Sequence, residues 1–167
     1  MLRKAVYMAV ASLFLVSCAS DYEAEKAITR AEMSGDQGMQ RQQELKNKIA
    51  NELRPVYFDV GSSKLNDRFK RRLDKNVEVL NNNPEFKVYL SGHADKTGNE
   101  SKNWELAMKR AKSVEDYLVT KGISRDRIYT ISKGENDPKV SASDESYYQV
   151  NRRVEFEPFT TSAGFAE

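Results

Sequence analysis

Asp95 and Arg110 have the residue types and the placement to hold a charged ligand. Asp95 closes a Gly92-His93-Ala94-Asp95 turn at the end of an alternating apolar segment. A loop containing Gly98 leads from it into a long helical pattern that carries Arg110. At about 100° per residue, Leu106, Tyr117, Val114, Ala107, Leu118, Ala111 and Trp104 fall on one arc. Lys102, Lys109, Lys112, Glu105 and Asp116 fall opposite, as on a solvated helix face. Asn103 and Arg110 break this partition. Seven positions apart, they stack about two turns from each other on the apolar side. A guanidinium facing a core must be paired or open onto a cleft, because an unpaired buried charge costs several kcal/mol or more. Three arrangements satisfy that demand. Arg110 snorkels its head to water; Arg110 and Asp95 pair with each other; or the two stand apart and a ligand with both an ammonium and a carboxylate lies between them.

Other chemistry finds little support. His93 and Asp95 are two apart, but a single His without a second His or Cys nearby makes a poor metal site. No nucleophile, base and orienting group come together in the sequence. The expectation is a binding protein without catalytic residues, metal or cofactor, with His93 as a structural residue at the strand end.

Several elements must position the pair. Val56, Phe58 and Val60 alternate as a first strand after Pro55. Asn66 or Asp67 caps a helix with Phe69, Leu73, Val77 and Leu80 on one face. Asn83-Pro84 ends it. Phe86, Val88 and Leu90 form a second strand, and the Arg110 helix follows and stops at Gly122. A third strand spans 128–132, and a turn-rich loop covers 133–138. Ser143 caps a short helix over 144–149, and 151–156 is the fourth strand. The tail 158–167 reads as loose. The order is β-α-β-α-β-(short α)-β, an α/β two-layer sandwich with a mixed four-stranded sheet and helices on one face.

The N-terminal third reads differently. The chain has 167 residues, 39% hydrophobic and 31% charged, enough for one domain with appendages. Arg3 and Lys4 precede an apolar run, 5–16, too short for a comfortable membrane span. Cys18 is the only cysteine. Its setting after Leu15-Val16-Ser17 resembles the bacterial lipoprotein box, which implies a signal peptide over 1–17, cleavage before Cys18 and acylation of that residue. Ala19 in place of an acid favours the outer membrane. Several acyl chains anchor firmly, since each buried CH₂ contributes about 0.8 kcal/mol. Residues 18–54 read as a charged tether reaching on the order of 100 Å when extended. Leu45, Ile49 and Leu53 make a narrow apolar stripe near its end, suited to docking on the domain or to a partner helix. Without Arg3 and Lys4 the 27 basic residues become 25, matching the 25 acidic ones. No global positive charge remains to favour nucleic acid.

Five motifs, in order, carry a family resemblance: Tyr57-Phe58-Asp59; Ser91-Gly92-His93-Ala94-Asp95 with Gly98; Asn103, Leu106 and Arg110-Ala111; Gly134-Glu135 with Pro138; and Asn151-Arg152-Arg153-Val154. Together they resemble the OmpA-like carboxyl-terminal domain over residues 55–157, and with lipobox and tether the chain is similar to Pal-type lipoproteins. The resemblance implies non-covalent binding of peptidoglycan through the diaminopimelate of its stem peptide. Asp95, Asn103, Arg110 and Arg152 match the family's ligand positions. Asp95 would take the ammonium, Arg110 would grip the carboxylate with two parallel N–H donors, and the Thr97-Gly98 loop would add donors. The resemblance also implies lipid anchoring in the outer membrane with the domain facing the periplasm; the alternative it leaves open is an envelope interaction protein whose main role is docking a Tol-type or other periplasmic partner. Lys70, Arg71 and Arg72 on the first helix are candidate contacts for such a partner. Three positions depart from the pattern: Ala94 for a common Thr, Gly61 for a frequent Asn, and Ala107 for a common Ser.

Overall fold

The computed structural model describes residues 37–141 and 148–161. Residues 1–17 (read as a signal peptide), Cys18, the part of the stretch read as tether before residue 37, the expected Ser143 cap and residues 162–167 lie outside the described residues. Two compact units divide the chain, Met1–Leu45 and Lys46–Glu167. Of the first, residues 37–45 are described and are helical and largely exposed. They open helix α1 (37–52), whose later residues belong to the second unit.

In that second unit the order is β1 (Val56–Tyr57), α2 (Asp67–Asn82), β2 (Lys87–His93), α3 (Glu100–Thr120), a 3-10 turn (Arg125–Arg127), β3 (Ile128–Gly134), α4 (Tyr148–Asn151) and β4 (Arg153–Phe159). The described strands form one sheet in the order β1-β4-β2-β3. β4 runs antiparallel to both β1 and β2, and β2 runs parallel to β3. The mixed α/β sandwich therefore stands as the sequence implies.

Each helix buries the face its spacing marks out. Asn66 caps α2 by accepting from the Phe69 N–H, and Phe69, Leu73, Val77 and Leu80 are buried. Ala111, Val114 and Leu118 of α3 join them over Val88, Leu90 and Val154 of the sheet. Ile49 and Leu53 enter the same core. Ile49 and Leu53 of the apolar stripe thus pack into the core, Leu45 is 38% exposed, and the compact unit takes in residues 46–54 of the stretch read as tether. Asn76 fixes this junction, donating to the Arg54 carbonyl at 2.9 Å and accepting from the Arg54 N–H at 3.0 Å.

Four local expectations need correction. The first strand stops at Tyr57, because the backbone beyond Phe58 turns its carbonyls toward Arg110; Val60 is left 71% exposed. Asn151 ends α4 and does not begin β4; its side chain clamps Val140, donating to the carbonyl at 3.0 Å and accepting from the N–H at 3.1 Å. Pro158 and Phe159, read as tail, pair with Val88 and Lys87, and Phe159 stacks on Tyr89 with ring centroids 4.4 Å apart. Trp104, placed on the apolar arc, is 50% exposed, and its ring lies over Gly134 at the arc's edge.

One glycine sets the distance between α3 and the sheet. A Cβ on Gly92 would fall 2.0 Å from the Ala107 carbonyl oxygen. Any side chain there would push the helix away, so Gly92 brings the start of α3 close to the end of β2.

Candidate functional site

The site forms where β2 ends, α3 begins and the segment before β4 returns. The register between β2 and β3 shifts at Gly92 and His93, and the Ala94 N–H reaches the Gly134 carbonyl at 2.7 Å. This irregularity ends the ladder and carries Asp95 off the sheet edge into the loop. Gly98 has φ +100°, a conformation that L side chains rarely adopt. It lets the loop turn sharply into the Asn99 cap of α3.

Asp95 is the centre of the loop's bonding. Its Oδ1 accepts from the Thr97 N–H at 3.0 Å and from the Thr97 hydroxyl, and its Oδ2 accepts from Arg152 Nη1 at 3.1 Å. Burial alone would raise its pKa. The bonds from Thr97 and Arg152 outweigh that and hold the carboxyl below the usual range. Asp95 is therefore ionised at neutral pH, with Arg152 as its counter-charge.

Arg152 is itself braced. Its Nε donates to the Phe58 carbonyl at 3.1 Å, and its side chain remains 12% exposed. Residues 96–98 beside it are exposed. Asn103 secures the loop from below, its amide donating to the carbonyls of Asp95 at 3.1 Å and Thr97 at 3.0 Å and to Glu135 Oε2 at 2.7 Å.

Arg110 lies deeper than its expected role requires. It has 0% exposure. Nε donates to the Ser62 carbonyl at 2.9 Å, Nη1 to the His93 carbonyl at 2.9 Å and Nη2 to the Asp59 carbonyl at 3.2 Å. The Phe58 ring sits 5.5 Å from the guanidinium carbon. Burial lowers its pKa to about 10, while nearby Asp95 raises it, so it stays charged at neutral pH. Three of its five N–H groups are thus engaged in joining the loop after β1 to the end of β2. The open two-pronged clasp between Asp95 and Arg110 is not what the side chains form. Asp95 faces Arg152, and Arg110 is the fixed charge behind it.

The structure brings Asp95, Thr97, Asn103 and Arg152 into one bonded assembly, with Gly98 completing the loop, while Arg110 bonds separately to the carbonyls of Asp59, Ser62 and His93. Sequence reasoning missed the carbonyls of Asp59 and Ser62 and the carboxylate of Glu135. The Gly134-Glu135 motif was a signal for Glu135; the backbone acceptors leave none. His93 is buried, with Nδ1 3.1 Å from the Asp137 carbonyl and Nε2 3.9 Å from Glu155 Oε2. Burial pushes its pKa down, and the ring is neutral at pH 7. Among the described residues no cluster of His, Cys, Asp and Glu could hold a metal ion.

Comparison with known proteins completes the picture. The model of the OmpA family matches residues 57–152. The peptidoglycan-associated lipoprotein of Pasteurella multocida is 31% identical over 92% of this chain and 95% of its own length. The protein of that name from Pseudomonas putida is 37% identical over 59% of each chain. Among solved structures, the peptidoglycan-associated lipoprotein from Burkholderia pseudomallei superposes with a TM-score of 0.61 at 27% identity, covering 64% of this chain and 90% of that one. The family model spans more than half of the chain, and this chain belongs to the OmpA family.

Proposed function

We propose that this chain is a non-enzymatic lipoprotein that binds peptidoglycan and ties the outer membrane to the cell wall. The observation that carries the reading is the ionised Asp95, held by Arg152 beside an exposed loop in an OmpA-family domain. The diaminopimelate of a stem peptide presents an ammonium and a carboxylate on one carbon. Asp95 retains oxygen lone pairs for the ammonium. Arg152, which uses Nε and one Nη1 hydrogen internally, has N–H groups left for the carboxylate. Backbone N–H groups near Thr97 and Gly98 add donors. Asn103 positions that loop. Arg110 keeps two N–H groups beyond its three carbonyl bonds, and a ligand carboxylate reaches them only as the Asp59–Ser62 carbonyls give way.

Acylation of Cys18 after removal of residues 1–17 supplies the membrane end of the tie, with the domain in the periplasm. A Tol-type periplasmic partner belongs to the same reading, tested by pull-down from envelope extracts before and after cell-wall digestion.

Co-sedimentation with purified sacculi tests the function. The parent protein pellets with the wall. Asp95→Asn and Arg152→Ala remain in the supernatant with unchanged circular dichroism. Equal pelleting of the parent and both variants overturns the assignment.

A further inference from the structure

A second charged region shares no lining residue with the Asp95 loop. Tyr57, Arg68, Phe69, Arg72, Gln149 and Val150 line a pocket of about 190 Å³. Tyr57 and Arg72 also line a larger hollow of about 840 Å³, to which Arg54, Pro55, Arg71, Lys75 and Lys139 contribute. The two form one groove along β1 and α2.

Its wall charge has one sign. Arg54, Arg68, Arg71, Arg72, Lys75 and Lys139 line it, and among the described residues no acid does. Of the three acids of α2, Asp74 pairs with Lys121 at 2.7 Å, Asp67 pairs with Lys70 at 3.0 Å, and Glu78 lines neither hollow. Among the described residues none of the six cations has a carboxylate partner at ion-pair distance. Grouping like charges costs energy that an anionic ligand recovers. The floor is apolar. The Tyr57 and Phe69 rings lie 6.1 Å apart, and the guanidinium carbons of Arg68 and Arg72 sit 5.9 Å and 6.0 Å from the Phe69 ring. Stacking on that ring holds the two guanidinium planes in place. Arg72 also donates to the Pro55 carbonyl at 3.3 Å, which ties the groove's wall to its rim.

We infer that this groove binds an extended acidic segment of another polypeptide. Two features select that ligand. A free phosphate or a lipid headgroup would satisfy the guanidinium groups but leave the aromatic floor unfilled, whereas a peptide offers carboxylates and apolar side chains in alternation. Among the described strands β1 lies at the sheet edge and pairs with β4 alone, so its outer side is placed to receive an added strand.

Fluorescence anisotropy with the full chain tests this. The probe is a labelled peptide of alternating Glu and Leu; the comparison arms are the Lys-for-Glu peptide, inorganic phosphate and phosphatidylglycerol vesicles. The Glu-Leu peptide binds, and its affinity falls as salt rises. Arg71→Glu with Lys75→Glu weakens binding about tenfold or more, with melting temperature and sacculus co-sedimentation unchanged. Absence of peptide binding, equal binding by the double variant, or tighter binding of phosphate or vesicles overturns the inference.

Discussion

Asp95 and Arg152 meet at 3.1 Å across 57 positions of sequence, and Asp95 sits in a loop that Asn103 of α3 holds from below. This pair, and not Asp95 with Arg110, is the ion pair that the site's side chains form. Arg152→Lys keeps a positive charge but loses the planar fork that donates to Asp95 and Phe58 together. The variant is expected to bind sacculi at least about tenfold more weakly, with a loss of stability on the order of 1 kcal/mol. Quantitative pelleting and urea unfolding measure both.

Arg110 has a different part. Its three carbonyl bonds join the loop after β1 to the end of β2, and burial removes any access to water as a substitute. Arg110→Lys preserves the charge yet cannot meet three carbonyls with the same geometry. Each buried acceptor left unmet costs about 1–3 kcal/mol. The expected result is a fall of about 3 kcal/mol in unfolding free energy, larger than for any substitution at Arg152.

Gly92→Ala tests the close approach of α3 to the sheet. The added Cβ would meet the Ala107 carbonyl at 2.0 Å, and backbone atoms cannot swing aside as a flexible side chain does. The cost is expected to reach at least about 2 kcal/mol. Amide shifts in the variant are expected to spread from Ala107 to the Asp95 loop, read in a heteronuclear NMR spectrum.

Stability should depend on pH through Asp95. Its carboxyl titrates below the usual range in the folded state because Thr97 and Arg152 favour the charged form. The unfolded chain therefore takes up the proton first as pH falls. The contribution is complete above the unfolded value of about 3.9 and is lost as pH drops toward the lower folded value. Melting temperatures of parent and Asp95→Asn are expected to differ at pH 7 and to converge below about pH 4. A constant difference across that range contradicts this role for the carboxylate.

The helices and most of the sheet were legible because periodicity reports burial. Phe69, Leu73, Val77 and Leu80 lie at helical spacing and are buried together. Arg110 was legible as an anomaly, a charge on the core side of α3. Its destination was not, because a backbone carbonyl leaves no mark in the sequence and Asp59 and Ser62 accept through theirs. Asp95's partner was hidden for a related reason. Arg110 and Arg152 offer the same guanidinium, and only the antiparallel return of β4 beside β1 decides which one reaches it. Trp104 was misplaced because a large ring at the margin of an apolar arc can lie over a glycine as readily as in the core.

Titration of the full chain with a diaminopimelate-containing stem peptide, followed residue by residue in NMR, tests the central claim most directly. Amide shifts concentrated at Asp95, Lys96, Thr97 and Gly98, with side-chain shifts at Arg152, are the predicted result, and they should vanish in Asp95→Asn. A peptide that leaves those resonances unmoved, or moves them equally in the variant, contradicts the account.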